Sequence, residues 1–216
     1  MYHVLALVLT AAPDKETIAT LATDDFYHGI RPWLEAGAEE RWREFQDQWT
    51  EGRETCDEIR RDYDAMFRVP AGRFVFPNET SHREPRLQTD GSLKPGLVCG
   101  PTSDDVIRYY HVAGLEVSPQ FLELPDHVAL ELEFMAHLCG KLHQSSESGD
   151  ADLAEKIEET LRGFFCNHLI QWVPALMQTV AARAGTRFWK AVAGLAASFL
   201  NRERQIIPPL PAPPGG

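Results

Sequence analysis

Apolar residues recur at spacings of three and four along most of the chain. Trp42, Phe45 and Trp49 fall at i, i+3 and i+7, and Cys56, Ile59, Tyr63 and Met66 continue the stepping. Val128, Leu132, Met135, Leu138 or Cys139, and Leu142 form another stripe. Leu153, Ile157, Leu161, Phe164, His168 and Trp172 form the longest, and Phe188, Val192, Leu195 and Phe199 the last. Each sets apolar side chains on one face of a helix with 3.6 residues per turn. No comparable stretch alternates with period two, and β-branched residues are few. The pattern predicts an all-α fold.

The breaks between stripes carry helix punctuation. Thr102-Ser103-Asp104-Asp105 reads as a helix start and Gly114 as the stop of that helix. Ser145 to Gly149 reads as a polar linker. Pro174 is expected to end or kink the helix through Trp172, because proline lacks an N–H and clashes with the preceding turn. Gly185-Thr186 reads as a stop followed by a cap. Residues 70–101 hold five Pro and four Gly without a sustained period, which predicts a long irregular segment, functional or simply mobile. Residues 204–216 read as a Pro-rich disordered tail, which leaves 1–203 as one helical domain.

Composition narrows the class. Apolar residues make up 44% of the 216 and charged residues 25%, ordinary values for a folded domain. The 21 basic and 32 acidic residues give a formal net charge of −11. Such a surface repels phosphates, which argues against nucleic acid and anionic membranes and favours a basic peptide or cationic ligand. The apolar run near Val4–Leu9 is far shorter than the roughly 20 residues that span a bilayer. No Lys or Arg precedes it, so neither membrane insertion nor a secretory signal is expected. Cys56, Cys99, Cys139 and Cys166 form no Cys-x-x-Cys; they read as buried free thiols in a reducing cytoplasm.

Candidate catalytic chemistry is sparse. A di-iron bundle needs two inward Glu-x-x-His pairs. Glu79 to His82 has that spacing but falls in the Pro/Gly-rich segment, and Glu133 with His137 lacks a second half-site. The latter pair reads as a surface hydrogen-bonded pair. There is no Gly-x-Ser-x-Gly elbow and no phosphate loop following a strand. No cofactor or metal is expected.

One constellation remains: Glu123-Leu124-Pro125-Asp126-His127, directly ahead of an apolar helical stripe. Pro near the first helical position and Asp in the first turn suit ordinary helix physics. His127 is less expected, because the positive helix end disfavours imidazolium. Asp126 beside it offsets this, and the two are expected to form a polar, acidic pocket at a helix N-terminus.

This block, followed by Glu131-Leu132-Glu133-Phe134-Met135 and Leu138, resembles the signature of the TorD/DmsD/NarJ family of molybdoenzyme maturation chaperones. Tyr110 and Gly114 fit the family's Tyr-x-x-x-Gly. Asp62 to Phe67 resembles its Tyr-x-x-Leu-Phe helix end. Phe76-Pro77-Asn78-Glu79-Thr80-Ser81 resembles its Pro-x-Glu-Ser turn, with Thr80 where Ser is usual. His168-Leu169 and Trp172-Val173-Pro174 match its His-Leu-x-x-Trp-x-Pro helix. The matches run from about residue 55 to residue 203. The acidic helix and Pro-x-Glu features lean towards chaperones of the type II dimethyl-sulfoxide-reductase group, whose clients handle chlorate, selenate or ethylbenzene.

The resemblance implies one all-helical domain of two packed lobes joined by a hinge loop, monomeric or domain-swapped, working in the cytoplasm. It implies no enzymatic activity. The protein would bind the twin-arginine signal peptide and apoprotein of a molybdenum oxidoreductase catalytic subunit and assist cofactor insertion. Its site residues would be Glu123, Pro125, Asp126 and His127, with Tyr110 and Gly114 shaping the hinge and Glu79 in support. A net charge of −11 suits a twin-arginine ligand independently. The alternatives are an all-α enzyme using Asp126 and His127 on a nucleotide or phosphorylated metabolite, and a helical adaptor without a peptide groove.

Overall fold

The computed structural model describes residues 1–87, 93–94, 96 and 99–209. It is all-α. The first helices are α1 (Tyr2–Thr10), α2 (Lys15–Leu21), α3 (Asp24–Ile30), α4 (Ala36–Thr50), α5 (Cys56–Tyr63) and α6 (Glu79–Arg83). They are followed by α7 (Pro101–Val112), α8 (Val128–Ser148), α9 (Ala151–Phe164), α10 (Ile170–Arg183) and α11 (Arg187–Ile206). Between α6 and α7, β1 (Arg86–Leu87) pairs antiparallel with β2 (Leu93–Lys94). The chain forms two compact units. The first holds His3–Pro77 and Val173–Glu203; the second holds Asn78–Trp172 and continues from Arg204.

In the first unit, the stripe of α4 meets that of α11. Trp42 and Phe45 are buried, as are Phe188, Val192, Leu195 and Phe199. Phe45 and Phe188 meet edge to face at 5.2 Å. Burying one such ring contributes on the order of 1.5–3 kcal/mol. A Cβ on Gly194 would lie 3.3 Å from the Ala38 Cβ, so the two helices approach as closely as small residues allow. Trp189 lies beside Tyr63 and donates its indole N–H to the Ile59 carbonyl at 3.0 Å. A capping box at Thr55 and Glu58 starts α5.

The second unit is built on α8 and α9. Leu132, Met135 and Leu138 of α8 are buried, and so are Leu161 and Phe164 of α9. Phe134 packs edge to face on Phe164 at 4.7 Å. Leu153 and Cys139, at the margins of their stripes, stay exposed. Two helix ends use the same device. At the end of α7, the Leu115 N–H reaches the Tyr110 carbonyl and the Gly114 N–H reaches His111. At the end of α8, Asp150 reaches Ser145 and Gly149 reaches Ser146. This is the Schellman pattern, and both glycines take its left-handed conformation, φ +73°.

Several sequence expectations need correction. Ser145–Ser148 is the last turn of α8, with Gly149 as its stop. Of the two expectations for Pro174, an end of the helix is not what forms: it lies inside α10. A π-helical turn, Phe165–Leu169, precedes α10, and Pro174 stands in the first turns of α10, where its missing N–H removes one bond of the ladder. A second π turn, Asp64–Arg68, interrupts the stripe ending at Met66. Residues 70–101 include helix α6 and the short β pair. Helix α7 starts at Pro101, where Glu84 accepts from the Thr102 N–H and hydroxyl. Helix α11 runs to Ile206, beyond residue 203; the expected disorder of residues 210–216 lies outside the described residues, as does the reading of residues 88–92 as irregular. The four cysteines are thiols outside any disulfide, but none is buried: Cys99 and Cys139 are exposed and the others half-buried.

Candidate functional site

The segment between α7 and α8 carries the Pro125-Asp126-His127 block, and it is tied down at both ends. The glycine stop at Gly114 turns the chain out of α7. Tyr110, one turn earlier, donates its hydroxyl to the Pro125 carbonyl at 3.0 Å. Asn78 pairs with His127 in an isolated antiparallel bridge, and the Glu79 N–H donates to the Asp126 carbonyl at 2.9 Å. The Asp126 carboxylate accepts from the Thr80 N–H at 2.9 Å and the Asn78 amide at 3.4 Å. It thereby holds the start of α6 as a capping acid would. Nδ1 of His127 accepts from the Ala129 N–H at 3.2 Å and caps α8.

An ionised His127 could not accept that bond. Burial lowers its pKa from 6.5 to about 4, against the opposing pull of Asp126. The ring is therefore neutral near pH 7, and Phe121 covers it edge-on at 5.7 Å.

A polar cluster lies in the interior beside this segment. Glu79, Asp126 and Glu131 are fully buried, and His168 is nearly so. One carboxylate oxygen of Glu79 contacts His168 Nδ1 at 2.8 Å, and the other accepts from Arg83 at 2.6 Å. His168 Nε2 faces the half-exposed Asp105 carboxylate at 3.3 Å. Glu131 accepts from the Trp172 indole at 2.9 Å. Burial first, and the Glu79 charge next, push Glu131 well above the carboxylate range; the indole bond pulls the other way. A neutral Glu131 avoids the repulsion that two neighbouring buried anions would suffer. Tyr110 responds to burial and then to the same acids, which hold its phenol well above its usual pKa.

The surface next to this interior is a cavity of about 260 Å³. Tyr110, Leu115, Leu130 and Phe134 form its apolar walls. Glu116 and Glu133 stand at its edge with His137. Leu122, in the same α7–α8 segment, is 92% exposed.

The expected site residues thus divide. Asp126, His127 and Glu79 are inside the second unit and hold backbone and side chains together; they do not open onto a pocket mouth. Pro125 and Gly114 set the path of the segment. Tyr110 serves both sides, anchoring Pro125 and lining the cavity. Glu123 is exposed. The catalytic alternative loses its acid–base pair, because Asp126 and His127 each spend their acceptors on a helix start. Among the described residues, no group of three His, Cys, Asp or Glu side chains could hold a metal. No helix there is long and apolar enough to cross a membrane.

The sequence does not mark Glu116 and Glu133 as cavity-lining acids, and it does not show the Glu79–His168 and Glu131–Trp172 contacts. The legible signal was spacing: Glu131 follows His127 by four, and Trp172 follows His168 by four, so each pair shares a helix face.

Comparisons with known proteins agree with the resemblance. The chlorate reductase assembly chaperone protein of Ideonella dechloratans is 27% identical over 135 residues, 62% of each chain. The selenate reductase assembly chaperone protein of Thauera selenatis is 27% identical over 128 residues, 59% of this chain and 60% of that one. The chaperone protein TorD of Vibrio cholerae is 26% identical over 112 residues, 52% of this chain and 50% of that one. The chain thus spans between half and about 62% of the length of these curated relatives. The family model described as nitrate reductase delta subunit matches residues 32–178, well over half of the chain. By that match the chain belongs to the nitrate reductase delta subunit family, the TorD/NarJ group that its Pro125-Asp126-His127 block resembles.

Proposed function

We propose that this protein is a cytoplasmic assembly chaperone for the catalytic subunit of a molybdenum oxidoreductase. It binds the client's twin-arginine signal peptide and apoprotein while the client receives its cofactor, and it carries out no covalent chemistry. The relatives named for chlorate and selenate reductases favour a client of the type II dimethyl-sulfoxide-reductase group. The observation that carries the peptide reading is the apolar cavity beside the family signature, edged by Glu116 and Glu133. A twin-arginine peptide pairs guanidinium groups with an adjacent apolar stretch. A guanidinium meets carboxylates through paired N–H donors, and aliphatic side chains enter a cavity walled by Tyr110, Leu130 and Phe134.

In this reading Asp126 and His127 act at one remove. They fix the ends of the α7–α8 segment, whose residues Leu115 and Glu116 face the peptide. Glu123, exposed on the same segment, adds to the negative field. The net charge of −11 draws the peptide in from a distance.

Calorimetric titration with the client's signal peptide tests the reading. The double variant Glu116→Gln/Glu133→Gln should bind about tenfold more weakly, on the order of 1.4 kcal/mol. The wild-type affinity should fall with added salt, because exposed charges are screened within about 8 Å at physiological ionic strength. Unchanged affinity in the double variant, together with salt independence, would remove the cavity as the peptide site. Failure of the purified protein to bind any twin-arginine peptide or co-purify with a molybdoenzyme subunit would remove the client assignment as well.

A further inference from the structure

The second unit carries another groove, of opposite electrostatic character. It is a cavity of about 540 Å³ where the end of α7 meets α8 and α9. Its apolar lining includes Val112, Leu138, Leu153 and Ile157. Val112 is 76% exposed and Leu153 47%. Six large hydrophobic side chains are strongly exposed among the described residues, and this groove holds two of them. Aliphatic side chains left open in one place are a common mark of an interaction surface.

The charges at this groove run against those of the protein. The chain has only five lysines, and two of them, Lys141 on α8 and Lys156 on α9, line the cavity. Both are exposed. Among the described residues, no carboxylate forms an ion pair with either ammonium. Glu159 is the acidic residue of the lining, one turn beyond Lys156. A solvated face in a chain of net charge −11 would be expected to carry acids or paired lysines. Two lysines without ion partners beside open aliphatic side chains match a ligand with apolar and anionic groups on adjoining faces.

We propose that this groove docks an acidic amphipathic helix of a partner polypeptide. Its aliphatic stripe would lie on Val112, Leu153 and Ile157, and its carboxylates would reach Lys141 and Lys156. Helix pairs such as α8 and α9 bind a third helix by seating its apolar residues in the shared furrow. The surface is distinct from the acidic-edged cavity of the signal-peptide reading; the linings have His137 in common. One chaperone would then hold a basic and an acidic segment at once, and the inference stands whether or not the signal-peptide assignment holds.

The test uses the full chain and a fluorescein-labelled synthetic helix with a leucine stripe flanked by glutamates. Fluorescence anisotropy should show saturable binding that weakens with salt. The surface double variant Lys141→Glu/Lys156→Glu should bind at least tenfold more weakly, with an unchanged circular dichroism spectrum and melting temperature. Leu153→Asp should weaken binding separately, and a matched peptide with lysines for glutamates should not bind. Excess twin-arginine peptide should leave the acidic probe bound. Absence of binding, equal binding by the double variant, or displacement by the twin-arginine peptide would each overturn the proposal. So would a stable dimer in sedimentation that Leu153→Asp splits, because a second copy would then cover the groove.

Discussion

Both compact units bury carboxylates, and they satisfy them by different means. In the first, Glu54 and Asp62 face the start of α11. Asp62 accepts from the Gly185 N–H at 2.9 Å and from the Thr186 N–H and hydroxyl at 2.8 Å each, and it pairs with Arg73. Glu54 accepts from the Arg187 and Phe188 N–H groups. These donors are the unsatisfied amides of a helix N-terminus, and the helix dipole adds to them. Burial raises Glu54 all the same, against the pull of its two amide bonds. In the second unit, Glu79 and Glu131 lie near each other in the interior, and burial drives Glu131 to its neutral form. One arrangement fastens a helix start with several donors on each carboxyl group. The other requires a proton, so its stability is linked to pH.

The largest effect should come from removing an acceptor in the first unit. Asp62→Ala leaves two backbone donors, a buried hydroxyl and Arg73 without their partner. Each buried donor left unmet costs about 1–3 kcal/mol, so a loss on the order of 3 kcal/mol or more is expected in urea unfolding. Asp62→Asn keeps one oxygen and should lose less, yet clearly more than Glu131→Gln at pH 7. Glutamine replaces a carboxyl that is already neutral and leaves an oxygen for the Trp172 indole. If the two amide substitutions cost the same, the contrast between a donor-rich site and a protonated one is wrong.

The pH dependence has two opposing parts within the second unit. His127 has a folded pKa of about 4 against 6.5 unfolded. The unfolded chain takes up the proton first, so this stability is present above pH 6.5 and is lost as the pH falls towards 4. The span corresponds to about 3 kcal/mol. Glu131 has a folded pKa above its ordinary 4.5. Here the folded state holds the proton longer, so the contribution is full below about pH 4.5 and declines as the pH rises. His127→Asn keeps a capping oxygen and should flatten the acid side of a stability–pH curve measured by urea midpoint. Glu131→Gln should flatten the side above pH 4.5. A curve unchanged by either substitution would show that these groups do not titrate on unfolding.

Much of the fold was legible because helical burial writes itself into spacing. The stripes of α4, α8 and α11 name their core residues directly, and Gly114 announces the Schellman end of α7. Two features stayed hidden. The π turns at Asp64–Arg68 and Phe165–Leu169 keep nearly the same apolar stepping as an α-helix, so a stripe alone does not reveal them. The capping of α11 depends on Glu54 and Asp62, more than a hundred residues away in sequence; Thr186 suggested a local cap, but its hydroxyl donates to Asp62 instead. In the site, the Pro125-Asp126-His127 block lies in the segment beside the cavity, with Asp126 and His127 buried. Polar residues in a signature read as contacts to a ligand, whereas local hydrogen bonding draws these two inward. The acids that do face the cavity, Glu116 and Glu133, look like ordinary surface residues until the chain folds around Tyr110.

The smallest effect supplies a baseline for the charge effects. Gly114 and Gly149 both have φ +73°, and a Cβ at either would meet no atom within 4 Å. Alanine at these positions therefore changes the backbone cost and little else. The left-handed conformation costs an L-residue about 1–2 kcal/mol, and neither residue titrates. Gly114→Ala and Gly149→Ala should each lower stability by about that amount, equally at pH 5 and pH 8, while asparagine should recover part of the loss. Peptide binding should separate them. Gly114 sets the exit of the chain from α7 towards Leu115 and Glu116, so its alanine variant should also weaken binding of the twin-arginine peptide. Gly149, at the far end of α8, should leave that affinity unchanged. A pH-dependent loss in either variant would mean that the buried cluster responds to the backbone of its helices as well as to its own protons.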